Sequence, residues 1–252
     1  MKPRLLLVPS FTELEWGIRP LLDRWAETAS FDPPGVGGDP FQLEDAAAPA
    51  DDGGALGRWR SASADRGLER IQECGWTRFV VVGDSHGLPT VLRVARRRPE
   101  AVTGLALGHA SLSNSAAGER PPTRAGVWDA LIELARQGNE ALVRHGIAQM
   151  TRGGVSDELA GQMIERFPDM DVVTRVLEAI RREPEPIGDE LASLDVPLLL
   201  AKHEGCLART DEGFEDIVAA FPEAKVAICP ETCTASPVFA SALERFCSEL
   251  AF

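Results

Sequence analysis

A chain of 252 residues with 44% hydrophobic side chains can bury the core of one α/β domain carrying an excursion, or of two small domains. Its net charge of −13 offers no basic face to a phosphate backbone, which argues against a nucleic-acid partner. No apolar run reaches the roughly 18 residues a membrane span needs, and five cysteines, an odd number, read as free thiols rather than a disulfide framework.

Met1-Lys2-Pro3-Arg4 leads straight into Leu5-Leu6-Leu7-Val8, which is too short for a signal-peptide core, so a cytoplasmic location is expected. Apolar on both faces, this run reads as a central strand of a parallel sheet. Pro9-Ser10-Phe11 turns the chain, and a helix is expected over 18–28 with Leu21, Leu22 and Trp25 on one face. Ser30-Phe31-Asp32 reads as a strand end before the loop Pro33 to Gly38, and residues 44–56, rich in Ala, Asp and Gly, as a low-complexity loop. A helix over 65–74 leads into the strand Phe79-Val80-Val81-Val82, a glycine-flanked turn, a helix over 89–97 and a strand over 102–107. From 125 to 182 the periodicity is helical only, over 128–136, 140–150, 157–167 and 172–182, and Pro184 and Pro186 end it. Pro197-Leu198-Leu199-Leu200-Ala201 resumes the sheet, followed by a helix over 212–221, a strand over 225–229 and a helix over 238–250. Strands alternating with helices define an α/β architecture.

The turn is Gly83-Asp84-Ser85-His86-Gly87. Gly-x-Ser-x-Gly between a strand and a helix resembles the nucleophile elbow of the α/β-hydrolases. Side chains at the two glycine positions would collide with the neighbouring strand and helix. Strain at the turn holds the serine oxygen clear of the sheet, at the positive end of the following helix. Other pieces fall in the same order: Trp16 and Arg19-Pro20-Leu21-Leu22 after the first strand, Asp32-Pro33-Pro34-Gly35-Val36-Gly37, the Pro197–Ala201 strand, and Pro237, Phe239 and Leu243 in the last helix. Together they make the chain similar to the α/β-hydrolase superfamily over nearly its whole length. The resemblance implies a hydrolase core with a mostly parallel sheet, residues 1–112 and 187–252, and an inserted helical cap, residues 113–186. It also implies a small-molecule or carrier-bound acyl substrate, no cofactor and no metal. The cysteine spacing matches no zinc pattern.

The departures are chemical. In the family the serine is followed by an acid and then a histidine. Aligned by the Pro197 strand, the acid position holds Cys206. The loop that carries the family histidine is here Pro230-Glu231-Thr232-Cys233-Thr234-Ala235-Ser236, with none. The chain has four histidines, His86, His109, His145 and His203, and none follows residue 203. A displaced base is therefore expected. His109 follows the 102–107 strand, where some hydrolase-fold enzymes place their acid, and His203 opens the loop where the family acid belongs. His145, in a cap helix, reads as a surface residue. The oxyanion hole would use the backbone N–H groups of Phe11 and His86. Cys206 and Cys233 are either two thiols near Ser85 or a drift to small, half-apolar residues. Asp84 and Asp32 read as structural turn residues.

These features point to acyl transfer at Ser85 on an ester or thioester, with His109 or His203 as base. Poor water activation would favour a specialised transferase or biosynthetic enzyme. Two other readings are a non-catalytic relative that binds a small apolar ligand under the cap, and a lyase, cyclase or isomerase using the pocket without a covalent intermediate.

Overall fold

The computed structural model describes residues 2–10, 16–36, 54–110, 122–151, 187–204 and 211–250, with residues 170, 174, 175, 177 and 178. Six strands form one parallel sheet: β1 (Arg4–Val8), β2 (Glu27–Ser30), β3 (Phe79–Asp84), β4 (Val102–Gly108), β5 (Leu198–His203) and β6 (Lys225–Cys229). Their order is β2-β1-β3-β4-β5-β6. The helices are α1 (Arg19–Leu22), α2 (Gly54–Glu73), α3 (Leu88–Arg97), α4 (Pro122–Arg136), α5 (Glu140–Thr151), α6 (Gly188–Ala192), α7 (Asp211–Ala220) and α8 (Pro237–Ser248).

The central strands β1, β3 and β4 are buried along almost their whole length because both faces are covered. Alternation along β1 divides its side chains between two cores. Leu6 and Val8 pack with Val81, Leu105, Val91 and Leu92 of α3, Leu191 of α6 and Phe214 of α7. Leu5 and Leu7 pack with Val80, Val82, Leu22 of α1, and Phe239, Leu243 and Phe246 of α8. The result is three layers, helix on sheet on helix. Trp16 belongs to the second core and stacks on Phe239 with ring centroids 6.3 Å apart.

Two elements differ from the expectation. The helix over 18–28 is a single turn, α1, because Glu27 already pairs with Arg4 and its N–H bonds to the Pro3 carbonyl at 2.8 Å. Strand pairing takes the residues that the apolar spacing assigned to a helix. In contrast α2 begins well before residue 65, within the stretch read as a loop. Trp59 on this helix is buried and donates its indole N–H to the Pro34 carbonyl at 3.0 Å.

Between β4 and α6 every described residue in regular structure is helical. Gly146 of α5 lets it sit against α4, since a Cβ there would lie 2.6 Å from Leu131 Cδ2. Arg136 on α4 pairs with Glu178 at 2.8 Å. The helix expected over 157–167 lies outside the described residues, and of that over 172–182 only residues 174, 175, 177 and 178 are described, all helical. Among the described residues no helix is long and apolar enough to cross a membrane.

The chain passes from β1 outward to β2, and from β3 in the opposite direction to β4. Ligands of open α/β sheets bind outside the carboxyl ends of strands at such a reversal. Ser85 follows β3 directly at this point.

Candidate active site

β3 ends at Asp84, and Ser85 opens one 3-10 turn, Ser85–Gly87, that runs into α3. The backbone forces Ser85 to φ +48°. A left-handed conformation at a residue with a side chain costs about 1–2 kcal/mol. Both flanking glycines are needed for close approach. A Cβ on Gly83 would sit 2.3 Å from Val91 Cγ2, and one on Gly87 would sit 3.1 Å from the Pro9 carbonyl oxygen. Ser85 and His86 are half-buried. The His86 N–H is placed next to the nucleophile, where an oxyanion donor belongs. Phe11, the other expected donor, lies outside the described residues.

His109 follows β4 and stands at φ +53°. Among the described residues, Ser85 and His109 are the non-glycine positions with positive φ, and they cap adjacent strands. Outliers of this kind persist where the surroundings over-determine them, often at functional sites. The surroundings here are specific. The His109 N–H bonds to the Ala201 carbonyl at 2.7 Å. Its ring Nδ1 lies 2.7 Å from Asp84 Oδ1, with both side chains buried. Asp84 is opposite Gly108 in the sheet register, and a Cβ on Gly108 would lie 2.0 Å from Asp84 Oδ1. Glycine at 108 thus makes the space for the carboxylate. Gly108→Ala is expected to destabilise the fold by about 1–3 kcal/mol through overpacking. It should also push Asp84 off His109. Chemical denaturation and a parallel activity assay check this, and an alanine variant with unchanged stability and rate would contradict it.

The second ring nitrogen of His109, Nε2, is hydrogen-bonded to Nδ1 of His203 at the end of β5. The rings meet edge to face, with centroids 4.6 Å apart and planes at 80°. Burial pushes the His203 pKa below the ordinary 6.5; the charge of a protonated His109 lowers it further, and Asp84 opposes both. The structure therefore brings His109 and His203 together and adds Asp84, which the sequence reading set aside as a turn residue. The signal for Asp84 was Gly108 immediately before His109, legible only once the register is known. Among the described residues no hydrogen bond joins the Ser85 hydroxyl to either histidine. His145 is exposed on α5, as expected.

Cys233 is buried beside this group: one ligand-type atom each of Asp84, His109 and Cys233 lie within 4.8 Å of one another. A metal would need such donors about 2.0–2.3 Å from a common centre and hence well apart from each other. The 2.7 Å separation of Asp84 and His109 is instead that of a charge-assisted hydrogen bond. The thiol neighbour of Cys233 is Cys229, whose pKa is lowered first by the hydrogen bond from Cys233, against the effect of burial. Cys206 lies outside the described residues.

No family model and no curated protein matches the sequence. Solved structures do. An α/β-hydrolase enzyme from a Medee basin deep-sea metagenome library superposes with a TM-score of 0.71 at 12% identity, over 100% of this chain and 91% of the other. An N-formylmaleamic acid deformylase from Pseudomonas putida gives a TM-score of 0.65 at 19% identity, over 97% and 92%. An enol-lactonase from Burkholderia xenovorans gives 0.66 at 17% identity, over 99% and 92%. Strand order, elbow and these superpositions agree: the chain has the α/β-hydrolase fold.

Proposed function

We propose that this chain is an acyl-transfer enzyme, acting on an ester or thioester of a small molecule or carrier, with Ser85 as nucleophile. The observation that carries the reading is the strained Ser85 at the N-terminus of α3, on the same sheet edge as the linked His109–His203 pair. A deformylase and an enol-lactonase among the structural neighbours suit a reaction at an acyl carbon.

In this scheme a histidine takes the Ser85 proton as Oγ bonds to the acyl carbon. The carbonyl π electrons move to oxygen, and the oxyanion accepts a hydrogen bond from the His86 N–H. The carbon–leaving-group bond then breaks and the leaving group receives the proton. An acceptor, water or another nucleophile, gives its proton to the same histidine and attacks the acyl-enzyme; the bond from Oγ to the acyl carbon breaks and the histidine returns the proton to Ser85 Oγ. With the usual acid and histidine positions occupied by Cys206 and Cys233, water is not activated in the customary place, which favours a dedicated acceptor.

The test is mass spectrometry after mixing the protein with p-nitrophenyl acetate. One acetyl group per chain, mapped to the peptide containing Ser85, is the supporting result. Turnover of the ester with no acyl adduct at Ser85 under rapid quench would overturn the proposal. One observation favours a second reading: the Ser85 hydroxyl is bonded to neither histidine. Apo contacts often tighten only with substrate, but the same geometry suits acid–base chemistry of a lyase, cyclase or isomerase in which Ser85 only donates a hydrogen bond.

A further inference from the structure

Resting on the acyl-transfer reading, the question is which histidine accepts the proton, and the ring nitrogens answer it by elimination. Three side chains from three adjacent strand ends form one line: Asp84 at the end of β3, His109 after β4, His203 at the end of β5. An ionised carboxylate only accepts hydrogen bonds. Asp84 Oδ1 at 2.7 Å therefore requires the hydrogen on His109 Nδ1. A neutral imidazole carries one N–H, so His109 Nε2 is an acceptor. Its contact with His203 Nδ1 in turn requires the hydrogen on that nitrogen. His203 is then left with a lone pair on Nε2, and no hydrogen bond from a described residue occupies it.

His109 is unsuited to the task itself. It is 5% exposed, and both its nitrogens are committed, one to Asp84 and one to His203. His203 is half-buried, so part of its surface is open to a reactant from solution.

We infer that Nε2 of His203 is the general base of this site, and that Asp84, acting through His109, is the positioning residue that fixes the required tautomer. When Nε2 takes a proton from the nucleophile, the His203 Nδ1 proton can shift to His109 Nε2. The positive charge then lies next to the Asp84 carboxylate. The reverse shift returns that proton to His203 Nδ1, the proton taken up at His203 Nε2 passes to the leaving group, and no other reactant is needed. The line is built, not incidental. Gly108 clears the room for the carboxylate, and the left-handed backbone at His109 aims its ring along it.

The test is imidazole nitrogen NMR on the full chain labelled with 15N-histidine, at a pH above the histidine range. The expected spectrum shows His203 protonated at Nδ1 and bare at Nε2, with His109 likewise protonated at Nδ1. In Asp84→Asn the His203 tautomer is expected to change or become mixed. There kcat should fall by about 10²-fold or more, with KM little altered. A wild-type His203 protonated at Nε2 overturns the inference whatever the activity, and so does an Asp84→Asn protein with an unchanged His203 tautomer. The wild-type spectrum decides even if the variant does not fold. Failure of Ser85 acylation with the expected tautomers present would instead strike the acyl-transfer reading alone.

Discussion

Ser85→Ala is expected to abolish the acyl adduct and lower kcat/KM by about 10⁴-fold or more, as loss of a serine nucleophile does elsewhere. The alanine keeps the backbone of the elbow and the His86 donor, so substrate binding should persist and KM should move little. A fall of only about 10-fold would match the loss of one hydrogen-bond donor and would favour the non-covalent reading. A companion variant separates strain from chemistry. At φ +48°, glycine relieves a left-handed penalty that alanine does not. Ser85→Gly is expected to be as inactive as Ser85→Ala yet more stable by about 1 kcal/mol, which in a chain of this size raises Tm by about 2–4 °C. A glycine variant no more stable than the alanine one would show that the turn stores no strain.

His203→Ala is expected to lower kcat/KM by about 10²- to 10⁴-fold, the usual contribution of a positioned general base. The pH dependence adds a signature. A base works only when unprotonated, and burial together with the neighbouring His109 holds His203 below the ordinary 6.5. The group therefore stays competent as pH falls through 6.5. Activity should be lost only at lower pH, giving an acid limb of kcat/KM displaced below the histidine norm. In His203→Ala that limb should vanish with the bulk of the rate. An acid limb unchanged in the alanine variant would assign it to another group.

The architecture was largely legible because its signals are local. The apolar runs of β1 and β3 and the glycine spacing of the elbow lie within a few residues of one another. Where local signals compete with pairing, the reading slipped. Leu21, Leu22 and Trp25 suggested a long helix, but Glu27–Ser30 is held by β1. The start of α2 was missed because few of its buried residues are aliphatic: polar Arg60 and Ser61 are packed there beside Trp59. Ser63 and Ala64 are buried there, and a Cβ on Gly67 would come within 3.0 Å of Phe31 Cε1, so the helix presses close and shows little hydrophobic periodicity. At the site, Ser85, His109 and His203 were legible as residue types at strand ends. Asp84 was not, because its partner is fixed by the pairing of Asp84 with Gly108, a long-range fact that no spacing along the chain contains.

That pairing has a consequence for how the molecule wears out. Asp84 is a rung-mate of Gly108, and Gly108 of Ala201, so the line of charge is stitched to the closing rungs of the central strands rather than to the segment before α8. Buried core strands such as β3 and β4 are the last elements to open in a cooperative domain. Warming should therefore leave the proton path intact until the whole molecule melts, and amides around these rungs should be among the slowest to trade hydrogen for deuterium.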